Sequence, residues 1–436
     1  MQRPVISSIL VKPASADCNL HCTYCFYHER PTDPYLDVKG RHVMQDATLR
    51  ALIREGMRLM PQVATFGWQG GEPMLTGIDF FRQAVHYQQE YGRSGQSVCN
   101  GVQTNGTLID DEWAQLFADY NFLLGVSLDG PQKRHDYYRT SVNGRGSYER
   151  VMKGIEILTR HGAEFNILTV VNNVTGDHPE EIYAFMLEQG FRYLQFIPCV
   201  ERDPDSGELT GFSVSPQQFG TFLCTVFDLW YNGGQPEASI RLFDNLLLAF
   251  AGHGPQVCQF QEECGDYVVV EYNGDVYPCD FYVQEPLRLG NLHEQELDVI
   301  ASSDKAIAFR KRKRRGDPAC AACTWAHICN HGCPLMRDHN PHGRTHYLCP
   351  AYQQLFAYSE NRLRELGRRV PPPPPQAHPQ ANDLNERRVG RNDPCPCGSG
   401  KSTNGVVAAE AKPVLRSKGC HYSTRLSSLA AQTRTW

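Results

Sequence analysis

Three cysteines, Cys18, Cys22 and Cys25, stand within eight residues, with Tyr24 directly before the last. Thiolates hold iron–sulfur clusters, four of them for a fully ligated cubane. Three on one short loop leave one iron without a protein ligand. That open site can bind a substrate or cofactor, whereas a cluster that only carries electrons needs no such gap. The chain has 17 cysteines in 436 residues, so chance supplies only about 0.03 triplets with this spacing. A structural zinc knuckle is the competing reading, with His21 or His28 as the fourth ligand.

Eight further cysteines follow later: Cys258, Cys264, Cys279, Cys320, Cys323, Cys329, Cys333 and Cys349. Eight thiols make two complete sets of four. The run from Cys320 to Cys333 reads C-x2-C-x5-C-x3-C, whose first half also suits a zinc ribbon. Two zinc sites therefore stand beside two clusters as readings of the spacing. Gln69-Gly70-Gly71-Glu72-Pro73 follows an apolar run, and its two glycines let the backbone approach a ligand closely. Asp280 directly follows Cys279. Cys99, Cys199 and Cys224 lie outside these groups and read as small buried hydrophobes.

The length allows two or three domains with sizeable cores. A hydrophobic fraction of 41% and a charged fraction of 21% are those of an ordinary globular protein. A net charge of −5 implies no general nucleic-acid affinity. No stretch approaches the length of a membrane span, and the first residues lack the pattern of a secretion signal. Many cysteines without such a signal point to metal ligands in a reducing compartment, the cytoplasm.

Up to Val200, strand-like and helix-like segments alternate. Strands are expected over residues 5–11, 63–68, 97–103, 122–128, 165–171 and 193–200. Helices are expected over 48–60, 78–91, 110–119, 147–161 and 179–189. Asp110 caps one helix, Pro179 opens another, and Gly162 and Gly190 act as stops. This repeat predicts a parallel sheet with helices outside it. Six strands are too few for an eight-stranded barrel. An open doubly wound sheet is one reading, and such a sheet puts chemistry at the C-terminal strand ends. Two more helices, 215–230 and 240–250, close this part. Residues 268–277 then predict a hairpin, with Asn273-Gly274 suited to a type I′ turn.

The spacing C-x3-C-x-Tyr-C resembles the signature of radical S-adenosylmethionine (radical SAM) enzymes, in which the amino and carboxylate groups of SAM chelate the open iron. The resemblance implies an α/β fold, a partial (β/α)6 TIM-like barrel. The Gly70-Gly71-Glu72 turn is similar to the family's GGE motif, which places Gly71 at the SAM amino group. Ser127 and Arg139 match positions that hold the SAM ribose and carboxylate. Tyr24 and Val200 match further SAM contacts. The later pattern, Cys264-x9-Gly274-x4-Cys279, then C-x2-C-x5-C-x3-C, then Cys349, resembles the SPASM extension of peptide-modifying members. It implies two auxiliary [4Fe–4S] clusters, one on Cys258, Cys264, Cys279 and Cys333, the other on Cys320, Cys323, Cys329 and Cys349. Full ligation suits electron transfer. Three [4Fe–4S] clusters and S-adenosyl-L-methionine are thus the expected cofactors. The expected domains are the radical SAM barrel over 1–235, a cysteine-rich SPASM domain with its β-hairpin over 236–370, and a Pro-rich linker and tail over 371–436.

With the Cys279-Asp280 pair added, residues 5–365 are similar to the anaerobic sulfatase-maturating enzymes, and this implies Asp280 as general base. A SAM-derived 5′-deoxyadenosyl radical takes hydrogen from the β-carbon of a Cys or Ser in a sulfatase. The base takes the thiol or hydroxyl proton, and the electron leaves to an auxiliary cluster. The product from Ser is the aldehyde formylglycine (3-oxoalanine) itself, and water converts the thioaldehyde from Cys to the same residue. The implied partners are a sulfatase polypeptide with a C/S-x-P-x-R segment and a reducing donor such as flavodoxin or ferredoxin, with no nucleic acid and no membrane. One alternative is a thioether maturase, but no precursor-recognition domain fits before Val5. The other is a non-catalytic iron–sulfur or zinc protein, which has no use for a SAM pocket.

The basic run Arg310-Lys311-Arg312-Lys313-Arg314-Arg315 reads as a solvated helix end near anionic clusters. His327, His331, His339, His342 and His346 read as outer-layer or surface groups. Pro371 to Pro375 is a stiff linker, and the tail beyond it reads as mobile. Within the tail, Gly390 to Lys401 resembles the start of the small zinc-binding SEC-C motif, but the next Cys-His pair, Cys420-His421, falls later than that motif asks.

Overall fold

The computed structural model describes residues 6–27, 30–265, 267–314 and 316–370. His28, Arg315, the proline linker and the SEC-C-like tail lie outside the described residues. Ten strands form one sheet: β1 (Ser8–Lys12), β2 (Val63–Trp68), β3 (Ser97–Thr104), β4 (Leu123–Ser127), β5 (Glu164–Val171), β6 (Tyr193–Pro198), β7 (Ser239–Ile240), β8 (Tyr267–Glu271), β9 (Asp275–Tyr277) and β10 (Gly290–Asn291). The sheet order is β10-β9-β8-β1-β2-β3-β4-β5-β6-β7. From β1 to β7 every neighbour is parallel and next in sequence. A doubly wound sheet would reverse its order partway. Sequential order without a reversal is that of a partial barrel.

The helices between these strands are α1 (Asp46–Leu59), α2 (Ile78–Tyr91), α3 (Asp111–Asp119), α4 (Gln132–Tyr138), α5 (Tyr148–His161), α6 (Pro179–Glu188), α7 (Pro216–Tyr231) and α8 (Arg241–Phe250). Their ends follow local chemistry. The Asp110 side chain accepts from Trp113 N at 3.0 Å. Gly162 closes α5 in the left-handed region. Ser215 and Gln218 form a capping box at the start of α7. Helix α4 was not expected, because Gln132 to Tyr138 shows no apolar periodicity. Ala64, Phe66 and Trp68 of β2 point one way into the core beneath the helices. Gly56 lets α1 lie on this strand, since a Cβ there would meet the Phe66 ring at 2.6 Å.

The hairpin forms as expected but joins the barrel sheet. β8 pairs in parallel with β1 and antiparallel with β9. Together with the β6–β7 pairing, this makes the sheet continuous across residues 235 and 236. The expected type I′ turn is corrected. Such a turn needs left-handed backbone at both central residues, but of the two only Gly274 has it, at φ +88°. Gly274 N donates to Glu271 O at 2.9 Å, so a tight turn precedes the left-handed glycine. The cysteine-rich part ends in a helix, Cys349–Gly367, which packs against α7 and α8. Among the described residues no helix is long and apolar enough to cross a membrane.

Candidate active site

The cysteine loop follows β1 and is held from two sides. On one side, Gly71 N donates to Ser15 O at 2.8 Å and Glu72 N to Asp17 O at 2.7 Å. On the other, His21 N and Thr23 N donate to Thr140 O and Tyr138 O, at 2.7 and 3.0 Å, beyond and at the end of α4. The turn glycines have a structural reason. A Cβ on Gly71 would meet Asp17 O at 2.1 Å and Ala16 O at 2.4 Å. Below the turn, Glu72 is fully buried. It accepts from Asn105 N at 2.8 Å, Met74 N at 3.1 Å and Thr104 Oγ1 at 2.9 Å. Burial pushes its carboxyl up to about 7. Asn105 Nδ2 in turn donates to Cys18 Sγ at 3.6 Å, and Leu20 N donates to the same sulfur at 3.4 Å.

Tyr24 enters a buried network, and Cys22 lies near enough to act on it. Its hydroxyl donates to Asp129 Oδ2 and accepts from Arg139 Nη1 at 2.9 Å. Asp129 Oδ1 accepts from Val170 N at 3.0 Å. Arg139 caps α4, and its Nε is buried without a hydrogen-bond partner. Ser127 ends β4, and its hydroxyl accepts from Gln103 Nε2 at 3.2 Å. Val200 lies just past β6, and its carbonyl accepts a bond from His339 Nδ1 at 2.8 Å. Thus Tyr24 and Arg139 meet directly, whereas Ser127 and Val200 approach the region from separate strand ends.

Asp280 is 6% exposed. Its Oδ2 accepts from the Tyr27 hydroxyl and from Gln69 Nε2 at 3.1 Å, while Gln69 Nε2 also donates to Tyr27 at 3.0 Å. Its Oδ1 is buried with no hydrogen-bond partner. Lys12 Nζ lies 3.8 Å from that oxygen and 2.9 Å from Glu271 Oε1. Sheet register causes this, because Lys12 stands opposite Glu271 in the β1–β8 pair. Burial and the Asp280 charge push the Tyr27 hydroxyl well above the usual tyrosine range. Tyr27, Gln69, Lys12 and Glu271 were missed in the sequence. The only signal was that Gln69 adjoins the glycine turn.

Several of the later cysteines lie close enough to act on one another. Burial pushes the Cys264 thiol up to about 11, with Cys333 and Cys258 adding to it. Cys279 is raised by burial and by Cys333. Burial raises Cys329 to about 12, and Cys349, Cys320 and Cys323 contribute. Cys18, raised to about 12 by burial, feels Glu72, Cys22 and Cys25. As metal ligands, these thiols act as thiolates. Among the described residues no three such side chains close on a single metal ion. A cubane asks for a wider set, since each cysteine holds a different iron. The donor chemistry of these cysteines fits iron–sulfur clusters. Cys99, Cys199 and Cys224 are buried, as expected.

Lys313 is a correction to the solvated basic run. Its side chain is fully buried, whereas Lys311 and Arg314 are exposed. Burial pulls its pKa below the usual lysine range, and Cys264, Cys258, Cys333 and Cys329 oppose that. Of the crowded histidines, His346 is buried and accepts from Leu348 N at 3.1 Å through Nδ1.

Comparison with known proteins gives matches over most of the described chain. The radical SAM superfamily model matches residues 13–186 and an iron–sulfur cluster-binding domain model matches 258–324. The SEC-C motif model matches 391–402. A cysteine-type anaerobic sulfatase-maturating enzyme of Clostridium novyi (strain NT) is 38% identical, covering 82% of this chain and 96% of the relative. A serine-type enzyme of Bacteroides thetaiotaomicron is 39% identical, covering 80% and 88%. The solved structure of native anSMEcpe with bound AdoMet and Cp18Cys peptide matches at a TM-score of 0.76 and 33% identity, over 83% of this chain and 99% of that one.

The partial barrel, its open cysteine loop and the later cysteine sets define a radical SAM enzyme with a SPASM extension. Its cofactors are SAM and iron–sulfur clusters. Within that class, the chain belongs to the anaerobic sulfatase-maturating enzyme family.

Proposed function

We propose that this enzyme oxidises a Cys or Ser side chain in a C-x-P-x-R or S-x-P-x-R segment of a sulfatase polypeptide to formylglycine. Relatives of both the cysteine and the serine type match it, and a structural neighbour holds a peptide. The observation that carries the mechanism is the asymmetry of Asp280: one oxygen is held by Tyr27 and Gln69, the other is free of hydrogen bonds. In our reading Cys18, Cys22 and Cys25 hold the cluster that binds SAM, with Gly71, Tyr24, Ser127, Arg139 and Val200 around the cofactor. When bound, SAM and this cluster supply a 5′-deoxyadenosyl radical that removes hydrogen from the substrate β-carbon.

Asp280 takes the thiol or hydroxyl proton at Oδ1. Tyr27 and Gln69 fix the carboxylate so that this oxygen faces the substrate. Lys12 Nζ, 3.8 Å from that oxygen, is itself paired with Glu271 at 2.9 Å. One electron must leave as the new double bond to sulfur or oxygen forms. Cys279, adjacent to the base, puts the Cys258, Cys264, Cys279 and Cys333 set beside that event. Cys320, Cys323, Cys329 and Cys349 hold a third cluster on this reading. A flavodoxin- or ferredoxin-like donor supplies reducing electrons, in the cytoplasm. We keep 235/236 as the division between the radical SAM part and the auxiliary part up to residue 370, with one sheet running across it.

Asp280→Asn tests the base. General base removal costs about 10²–10⁴-fold in rate. The expected variant still forms 5′-deoxyadenosine with unchanged iron content but loses formylglycine by at least about a hundredfold. Product formation near that of the parent enzyme sinks the base assignment.

A further inference from the structure

We propose that Lys313 is a buried cation shared by the two auxiliary clusters, which it makes easier to reduce. The inference rests on the two four-cysteine sets holding clusters, as proposed above. Lys313 lies in the short turn Arg312–Arg314 that follows the helix Asp304–Lys311. Its Nζ donates to the carbonyls of Cys258 at 2.9 Å, Gln259 at 2.8 Å and Gln261. Three acceptors match the three N–H groups of an ammonium, whereas a neutral amine has only two. The charged form is therefore the one this site is built around.

Its neighbours in the basic run are neutralised: Arg312 pairs with Asp338, and Arg314 with Glu263 at 2.9 Å. Among the described residues no carboxylate lies within ion-pair distance of Lys313. A buried charge without a countercharge is costly. The loop it holds carries Cys258 of one set, and Phe260 O in that loop accepts at 2.7 Å from Asn330 Nδ2, the residue after Cys329 of the other set; Cys264 and Cys333 also lie near enough to act on its charge. Net charge, hydrogen bonds and exposure set the potential of such clusters. A fixed positive charge favours the state with one more electron. The electron concerned is the one the substrate radical gives up as its proton passes to Asp280. Lys313 is thus a positioning residue acting through the clusters, and it never meets the substrate.

The test is an EPR-monitored redox titration of the holoenzyme and two variants, with iron counted in each. Lys313→Gln keeps two donors for the loop carbonyls and drops the charge. Lys313→Arg keeps the charge. The expected result for Lys313→Gln is a lower potential for both auxiliary clusters, larger for the set with Cys264. At fixed potential the reduced-to-oxidised ratio of that set falls about tenfold, which is 59 mV for a one-electron couple. The SAM-binding cluster should not move, and Lys313→Arg should match the parent. Loss of auxiliary iron in Lys313→Gln alone also supports a role for the charge. Full iron with unchanged potentials overturns the inference, as does equal loss of auxiliary iron in both variants. A parent enzyme holding only about four irons fails earlier, at the auxiliary-cluster reading itself.

Discussion

Glu72 supports the cysteine loop without touching a thiol, and its titration shows in stability. The folded enzyme keeps this carboxyl protonated up to about 7, against 4.5 in an open chain, because of burial. A raised carboxyl pKa means that the folded state holds the extra proton between those values. Stability is therefore lost as pH climbs from about 4.5 to about 7 and is level above that. The ceiling is roughly 3 kcal/mol at 1.36 kcal/mol per unit. Thermal unfolding of the holoenzyme under anaerobic conditions should give a lower midpoint at pH 8 than at pH 6. Glu72→Gln should shrink that difference. It should not abolish it, since Glu201 is also held at about 7 by burial. An unchanged pH dependence in the variant contradicts this account of Glu72. At this scale legibility follows chain distance. Cys18, Cys22 and Cys25 share one loop, so spacing alone brought them together. Tyr27 and Gln69 reach Asp280 across 253 and 211 residues, through sheet register that no local pattern encodes.

The turn after β2 docks on the backbone of residues 15–17, and this contact sets where the cysteine loop begins. Gly71→Ala puts a methyl group into the Asp17 and Ala16 carbonyls. Overpacking of this kind costs about 1–3 kcal/mol, and rigid backbone on the far side puts it at the upper end or beyond. The unfolding midpoint should fall and iron at the Cys18 loop should be lost. Gly101→Ala is the control, because its Cβ meets only Leu123 O at 3.7 Å. If the two variants behave alike, close approach is not why Gly71 is needed. Element boundaries were legible where stops and periodicity agreed: β2 and α2 fall on the expected residues. The β8–β9 turn was misread because Asn-Gly also suits a tight turn followed by one left-handed glycine. The two-residue strands β7 and β10 escaped notice because two residues carry no alternation.

In the whole molecule, β8 beside β1 joins the hairpin of the cysteine-rich part to the barrel sheet. That pairing carries Glu271 to Lys12 and brings Asp280, nine residues further on, to the cysteine-loop end of the barrel. A parallel sheet with helices outside could be read from the βα repeat, since each unit is local, while the partial barrel was legible only through the family resemblance. The continuity of the sheet could not be read, because β1 and β8 are far apart in sequence. Lys313 was hidden for a related reason: a run of basic residues looks uniformly solvated until the fold shows which one is enclosed.

Substrate oxidation tests the central claim most directly. The enzyme is reconstituted anaerobically with iron and sulfide, then given dithionite, SAM and peptides carrying C-x-P-x-R or S-x-P-x-R, with iron counting and mass spectrometry as readouts. The expected result is about twelve irons per chain, at four per cluster, together with 5′-deoxyadenosine and the formylglycine mass change in at least one peptide. Formation of 5′-deoxyadenosine with both peptides unaltered contradicts it.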